Sequence, residues 1–310
     1  MRLLAAACAA LCSSIVAGCS QSAGRHAPIA SLGSPIAYGT ADTTHTAVVS
    51  VLAAVGSTEI AECSGSVVGV SGGVATVLTA AHCCNTYVPS VVVVSSNYAV
   101  GEQYVGISAP QPPAYPVVVG SVYYDAQYSL DMAMDHDFCM LQFSGAPAGT
   151  ATLSLPQASD GLALGDAIEH VGFGETATST TNSERFTGTD TVNLELTSLV
   201  LEWSQGGSTD TPGTCEGDSG GPALLPAGVA QAQQVVVGVT SYGPATTCPM
   251  STYGVASRVS SAMGSGGFIA SYVAGTPIGV HAGVAAQASV TAGGWAVGAL
   301  AVSLLAAGTL

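Results

Sequence analysis

The sequence contains no lysine, and its 4 basic residues, Arg2, Arg25, Arg185 and Arg258, stand singly along 310 positions. Against 19 acidic residues they leave a formal net charge of -15. Such a chain cannot assemble a basic patch, so nucleic acid and anionic membrane surfaces are excluded as electrostatic partners. Charged residues of either sign make up only 7% of the chain. The acid excess therefore serves solubility, keeping an otherwise apolar chain dispersed. No metal, nucleotide or organic cofactor motif is present, and none of these is expected as a ligand.

What is plentiful is glycine, at 39 residues, and short β-branched runs between turns. Runs at Ala47 to Val55, Ser66 to Val70, Val74 to Leu78, Val91 to Val94, Val117 to Tyr124 and Phe138 to Phe143 predict one set of strands. Ala167 to Phe173, Thr191 to Trp203, Gly221 to Leu225, Val235 to Tyr242 and Gly254 to Val259 predict a second. The spacing implies an all-β domain from Ile36 to Gly275, residues 36–275, with a short helix over Phe268 to Val273.

The two ends differ from this middle. Arg2 precedes an apolar run from Leu3 to Val16 that is too short to span a bilayer and has the form of a signal peptide over residues 1–18. Its ending, Val16-Ala17-Gly18-Cys19, resembles a bacterial lipobox in which Cys19 is lipidated; ordinary secretory cleavage is the alternative. Residues 19–35 then form a propeptide or linker. Residues 276–310 are a Gly/Ala-rich linker and an apolar tail, and Val290 to Leu310 carries no charge over a length sufficient to cross a membrane. A membrane anchor, a removable anchor signal and a low-complexity tail all fit it. Membrane association through Cys19 or this tail, and a secreted or cell-surface location, are the expectations.

Chemistry concentrates in three segments. Cys215-Glu216-Gly217-Asp218-Ser219-Gly220-Gly221-Pro222 sets a serine among glycines, where backbone amides can converge on a developing oxyanion. A serine hydroxyl is a weak nucleophile and needs a histidine base held by an acid. His82 stands in Thr79-Ala80-Ala81-His82-Cys83, and Asp137 opens the apolar run Phe138-Cys139-Met140-Leu141. Asp131, Asp135 and His136 stand nearby as a solvated cluster. Gly217-Asp218-Ser219-Gly220-Gly221 also fits the nucleophile elbow of α/β-hydrolases, but that fold places its histidine after the serine. Here only His281 follows, inside the Gly-rich tail.

The order histidine, aspartate, serine, with these flanking residues, resembles the trypsin and chymotrypsin family of serine proteases. The resemblance implies two six-stranded antiparallel β-barrels, a catalytic triad of His82, Asp137 and Ser219, and an oxyanion hole from the amides of Gly217 and Ser219. Ser241 resembles the serine that hydrogen-bonds the buried aspartate, and its neighbours Tyr242 and Gly243 would pair with a substrate strand. Gly213 takes the place at the floor of the primary pocket, beside Thr214, Gly243 and Gly254. No acid stands there, so the implied pocket is uncharged, and its glycines favour a sizeable apolar or aromatic side chain. Gly172-Phe173-Gly174 is similar to a turn of the same family.

Ile36-Ala37-Tyr38-Gly39-Thr40 resembles the family's mature N-terminus, whose freed amine pairs with the residue before the serine, here Asp218. The preceding residue is Pro35 rather than a basic one, so an activating protease of other specificity is expected. The resemblance also implies disulfides Cys63–Cys83 and Cys215–Cys248. Cys84 and Cys139 remain, each two residues beyond a triad member; a third bridge between them would staple base to orienting acid, with two free thiols as the alternative. His26, His45 and His170 are read as structural or solvated. The chain is thus expected to be a monomeric serine endopeptidase acting on polypeptides, or alternatively a silent homologue kept as a surface binding module.

Overall fold

A computed structural model describes residues 36–55, 59–97, 112–128, 135–176, 184–205, 212–244 and 252–282. The signal segment, Cys19, the propeptide, Asp131, Cys248 and the tail beyond residue 282 lie outside the described residues. The strands are β1 (Thr40–Ala41), β2 (Val48–Val55), β3 (Glu59–Ser71), β4 (Val74–Thr79), β5 (Val91–Val93), β6 (Ala114–Pro116), β7 (Tyr123–Tyr124) and β8 (Cys139–Ser144). They continue as β9 (Ala167–Gly172), β10 (Phe186–Leu196), β11 (Val200–Ser204), β12 (Pro222–Leu225), β13 (Val235–Tyr242), β14 (Tyr253–Arg258) and β15 (Val280–His281). Among the described residues the α-helices are one turn, α1 (His82–Asn85), and α2 (Phe268–Val273).

All strand pairings between these elements are antiparallel. The second set closes on itself in the order β9-β10-β11-β14-β13-β12-β9, a six-stranded barrel with β1 added outside β10. The first set runs β15-β7-β8-β4-β3-β2-β5-β6 and curls into an open half-barrel, with an isolated bridge from Val117 to Phe143 reaching back to β8. The chymotrypsin-like all-β architecture expected from the sequence is the one present.

Burial explains why the strands form where they do. Val48, Val49, Val51, Leu52 and Ala53 of β2 are all buried, with Val77, Leu78, Met140, Leu141 and Phe143 filling the same core from β4 and β8. A smaller core of Ile168, Val192, Leu201, Trp203, Val237 and Ala256 fills the closed barrel. Burying each such side chain contributes about 1.5–3 kcal/mol, enough to override the weak local preferences of alanine and glycine in these strands.

Two long runs prove to be interrupted. Val117 to Tyr124 is broken at Val119 and Gly120, where Gly120 takes φ +81°, leaving only Tyr123–Tyr124 as a strand. Thr191 to Trp203 folds back at Thr197, whose Oγ1 accepts from the amides of Leu199 and Val200 at 3.1 and 3.0 Å, so it divides into the ends of β10 and β11. After α2 the chain returns to the first sheet. Val280 and His281 pair with Tyr124 and Tyr123, and the Ala282 amide donates to Val122 at 2.9 Å. Residues 276–282 are thus an ordered extension of the domain.

The segment entering the domain is tied down by charge. Arg185 is buried; its Nε donates to Asp42 Oδ2 at 2.7 Å and its second nitrogen donates to the Val48 carbonyl at 3.0 Å. His45 sits between Asp42 Oδ1 at 3.0 Å and Gln234 Oε1 at 3.1 Å, and Gln234 donates in turn to Glu169 of β9 at 2.7 Å. Burial opposes the His45 imidazolium, yet Asp42 and Glu169 carry its pKa above the ordinary 6.5. Residues 42–48 are therefore moored to the second barrel by a buried polar network.

Two disulfides are formed, Cys63–Cys83 and Cys84–Cys139, and Cys215 is also disulfide-bonded. The unusual third pairing read from the sequence is therefore present, joining the His82 turn to the strand behind Asp137. Cys84 and Cys139 are 55 residues apart, a loop whose closure restrains the unfolded chain by about 4 kcal/mol. Replacing both with alanine is expected to lower unfolding free energy by about that amount in urea titrations. A loss under 1 kcal/mol would show that the bridge is not a restraint.

Candidate active site

Asp137 is the fully buried centre of a polar cluster between the barrels. Its Oδ1 accepts from the His82 amide at 2.9 Å, and its Oδ2 lies 2.7 Å from His82 Nδ1 and accepts from Ser241 Oγ at 2.6 Å. Three donors satisfy a carboxylate that burial would otherwise make costly. They also fix the imidazole tautomer, with a proton on Nδ1 facing the acid and Nε2 turned to the open side. The His82 side chain keeps 27% of its surface exposed. Burial alone would depress the His82 pKa, but the charge and hydrogen bond of Asp137 carry it above 6.5.

Ser219 lies on the loop before β12, with its backbone beside the His82 turn. Its carbonyl accepts from the Ser64 amide at 2.8 Å and lies 3.8 Å from Cys83 Sγ, the residue after His82. Among the described residues no hydrogen bond joins Ser219 Oγ to His82 Nε2. Gly217 takes φ +92°, a conformation that side chains resist, and a methyl group there would meet the Gly174 Cα at 2.8 Å. Among the described residues neither the Gly217 nor the Ser219 amide has an acceptor, whereas the intervening Asp218 amide donates to Cys215 at 3.0 Å. Two unpartnered amides on one turn are what an oxyanion would need.

Two serines that the sequence reading passed over support this geometry. Ser64 Oγ donates to the Gly217 carbonyl at 2.9 Å and accepts from the Phe173 amide at 2.9 Å, holding that carbonyl away from the amide pair. Ser257 Oγ accepts from the Asp137 amide at 3.0 Å and fixes the acid's backbone. Each is a common residue in an unremarkable strand, and only its partner more than 100 positions away in the sequence gives it a role.

Asp218 is buried beneath the serine loop. Its carboxylate accepts from the Cys215 and Gly174 amides, both at 2.8 Å, and from the Ile36 amide. Burial outweighs these bonds and pushes its pKa up to about 7. Gly172 and Gly174 make room for it: a methyl group would stand 2.2 Å from Asp218 Oδ1 at the first and 2.5 Å from its Cγ at the second. Ile36 is itself fully buried, with Ala37 paired to Gly213 through both backbone bonds.

Of the expected pocket residues, Gly213 and Thr214 lie on the loop before Ser219, Ser241 and Tyr242 end β13, Gly243 follows it and Gly254 lies on β14. A methyl group added at Gly213 would meet the Gln205 side chain, and one at Gly254 would meet Trp203 and Gln205. Cys63, His82 and Cys83 also come within 4.8 Å of one another, but both sulfurs are consumed in their disulfide and offer no thiolate to a metal. His136 Nδ1 lies 3.4 Å from Asp125 Oδ2, a single contact beside the site.

Comparison with known proteins agrees with the fold. The family model described as Trypsin matches residues 37–264, and the chain belongs to that family. A solved structure described as "Structure of GrC" superposes with a TM-score of 0.56 at 20% identity, covering 77% of this chain and 97% of that one. At this identity the likeness is one of fold. No curated protein matches the sequence. Membership of the family implies a polypeptide substrate and a serine protease scaffold, and its disulfides belong to an oxidising, extracellular setting. Among the described residues no helix is long and apolar enough to cross a membrane.

Proposed function

We propose that the protein is a secreted or surface-held serine endopeptidase in which His82, Asp137 and Ser219 act as base, orienting acid and nucleophile. The observation that carries this reading is the junction of an acid-held imidazole with two unpartnered amides around a half-buried serine. His82 Nε2 takes the Ser219 proton as Oγ attacks a peptide carbonyl, and the amides of Gly217 and Ser219 receive the oxyanion. The imidazolium then protonates the leaving amine, and water releases the acyl group by the reverse path. Each oxyanion donor contributes about 3 kcal/mol at the transition state. With no acid at Gly213, the substrate side chain entering the pocket is uncharged.

The direct test is reaction with a fluorophosphonate, followed by mapping of the modified peptide. Modification confined to Ser219 is expected; modification elsewhere, or none in folded and processed protein, would shift the reading to a binding module. The pH profile is a second expectation. The base must be neutral to act, and its pKa lies above 6.5, so kcat/KM should climb tenfold per pH unit below that point and level off above it. A rate independent of pH between 5 and about 8 would exclude His82 as the base.

A further inference from the structure

Three successive peptide planes lead into Ser219, and each is held by a bond at its edge. The Glu216 carbonyl accepts from the Glu175 amide at 2.6 Å, so the Gly217 N–H, on the opposite edge of that plane, points away from Glu175. The Asp218 carbonyl accepts from the Gly221 amide at 2.8 Å, so the Ser219 N–H likewise points away from Gly221. Between these planes lies that of Gly217 and Asp218. Its N–H donates to the Cys215 carbonyl at 3.0 Å, and its carbonyl accepts from Ser64 Oγ at 2.9 Å. Resting on the endopeptidase reading above, we infer that Ser64 is a positioning residue for the oxyanion hole, setting the angle between its two amides through the Gly217 carbonyl.

The middle plane needs such a restraint because it begins at a glycine. Gly217 has no Cβ to narrow its torsions and stands at φ +92°. Rotation about its Cα–C bond turns the Gly217 amide relative to the Ser219 amide. Among the described residues the Ser64 hydroxyl is the only side-chain donor to the carbonyl that would swing in that rotation.

Ser64 is itself firmly held. It is fully buried in β3, and its hydroxyl receives the Phe173 N–H at 2.9 Å, which leaves its own proton for Gly217. Its amide donates to the Ser219 carbonyl at 2.8 Å, and its carbonyl accepts from Thr79 Oγ1 at 2.8 Å. Thr79 ends the strand that leads to His82, and Cys63, beside Ser64, is bridged to Cys83, beside His82. One residue of the first barrel thus grips the turn on both sides of Asp218. Among the described residues it makes no hydrogen bond to the His82 or Asp137 side chain, so its effect falls on the oxyanion and not on the base.

Replacing the carbonyl oxygen of a substrate by sulfur isolates that effect. Protein processed to begin at Ile36 is given an ester with an uncharged acyl residue and the matching thionoester, whose sulfur is a weaker acceptor for the two amides. Ser64→Ala is expected to lower kcat on the ester by about tenfold to a hundredfold, less than the loss of a whole donor, with KM held within about twofold. The ester-to-thionoester ratio of kcat/KM should narrow by about fivefold or more, because sulfur has less stabilisation to lose. The pH midpoint set by His82 should not move. Each ratio is taken within one preparation, so an unfolded fraction leaves it unchanged, and Ser64→Gly, which lacks the same hydroxyl, is expected to repeat the result.

Equal slowing of ester and thionoester, a shifted pH midpoint or full activity in Ser64→Ala would overturn the inference while leaving the triad standing. Equal rates on the two substrates in the unaltered enzyme would do the same, since there would be no hole to position. Failure of both variants to fold would make Ser64 a residue of the fold instead. Failure of a fluorophosphonate to modify Ser219 would remove the endopeptidase reading and the inference together.

Discussion

Changing Ser219 to alanine is expected to lower kcat by about 10⁶-fold, and changing His82 to alanine by a similar factor, with the double variant no worse than either alone. In the proposed mechanism Ser219 supplies the atom that bonds to the substrate, and His82, held by Asp137 at 2.7 Å, is its base. Remove one and the other has no proton to exchange, so the losses cannot add. A residual rate about 10³-fold above the uncatalysed reaction should persist in each, because the Gly217 and Ser219 amides belong to the backbone and survive both substitutions. Steady-state hydrolysis of a peptide with an uncharged residue at the cleaved bond checks this. Strict multiplication of the two single effects would show that the residues do not work as a unit.

The second large effect concerns Asp218. In the uncut chain its carboxyl receives three amide hydrogen bonds, yet burial holds its pKa near 7, above the ordinary 3.8. A raised carboxyl pKa means that the folded state grips the proton more tightly than the unfolded chain does. That contribution to stability is complete below pH 3.8 and is lost as pH rises through about 7. At pH 8 the uncut protein therefore buries an unpaired anion directly beneath the oxyanion turn. Cleavage between Pro35 and Ile36 would convert the Ile36 amide, already bonded to Asp218, into an ammonium and supply the missing charge. An uncompensated buried charge costs about 3–5 kcal/mol, so protein beginning at Ile36 should exceed the uncut form by about 10²–10⁴-fold in kcat/KM at pH 8. Asp218→Asn in the cut form should forfeit most of that gain. Equal activity in the cut and uncut forms would sink the proposal.

The proposed triad is legible in the chain because each member sits in a local signature: a histidine after two alanines, an aspartate before a buried strand, a serine just before two glycines. The Cys84–Cys139 bridge was legible for the same reason, since each cysteine stands two residues from a triad member. The supporting serines were not: Ser64 and Ser257 stand in ordinary strands, and their partners Gly217 and Asp137 are 153 and 120 positions away. Nor was β11, hidden inside a run that Thr197 breaks in two.

The burial of Ile36 has one practical consequence in a chain without lysine. Once the segment ending at Pro35 is removed, the α-amine of Ile36 is the sole primary amine left anywhere in the protein. It lies inside the domain against Asp218, where no reagent in solvent can reach it. The processed enzyme should thus be blank to amine-reactive dyes while folded and take up one equivalent when denatured, so that ordinary amine chemistry counts how many molecules have inserted their new terminus.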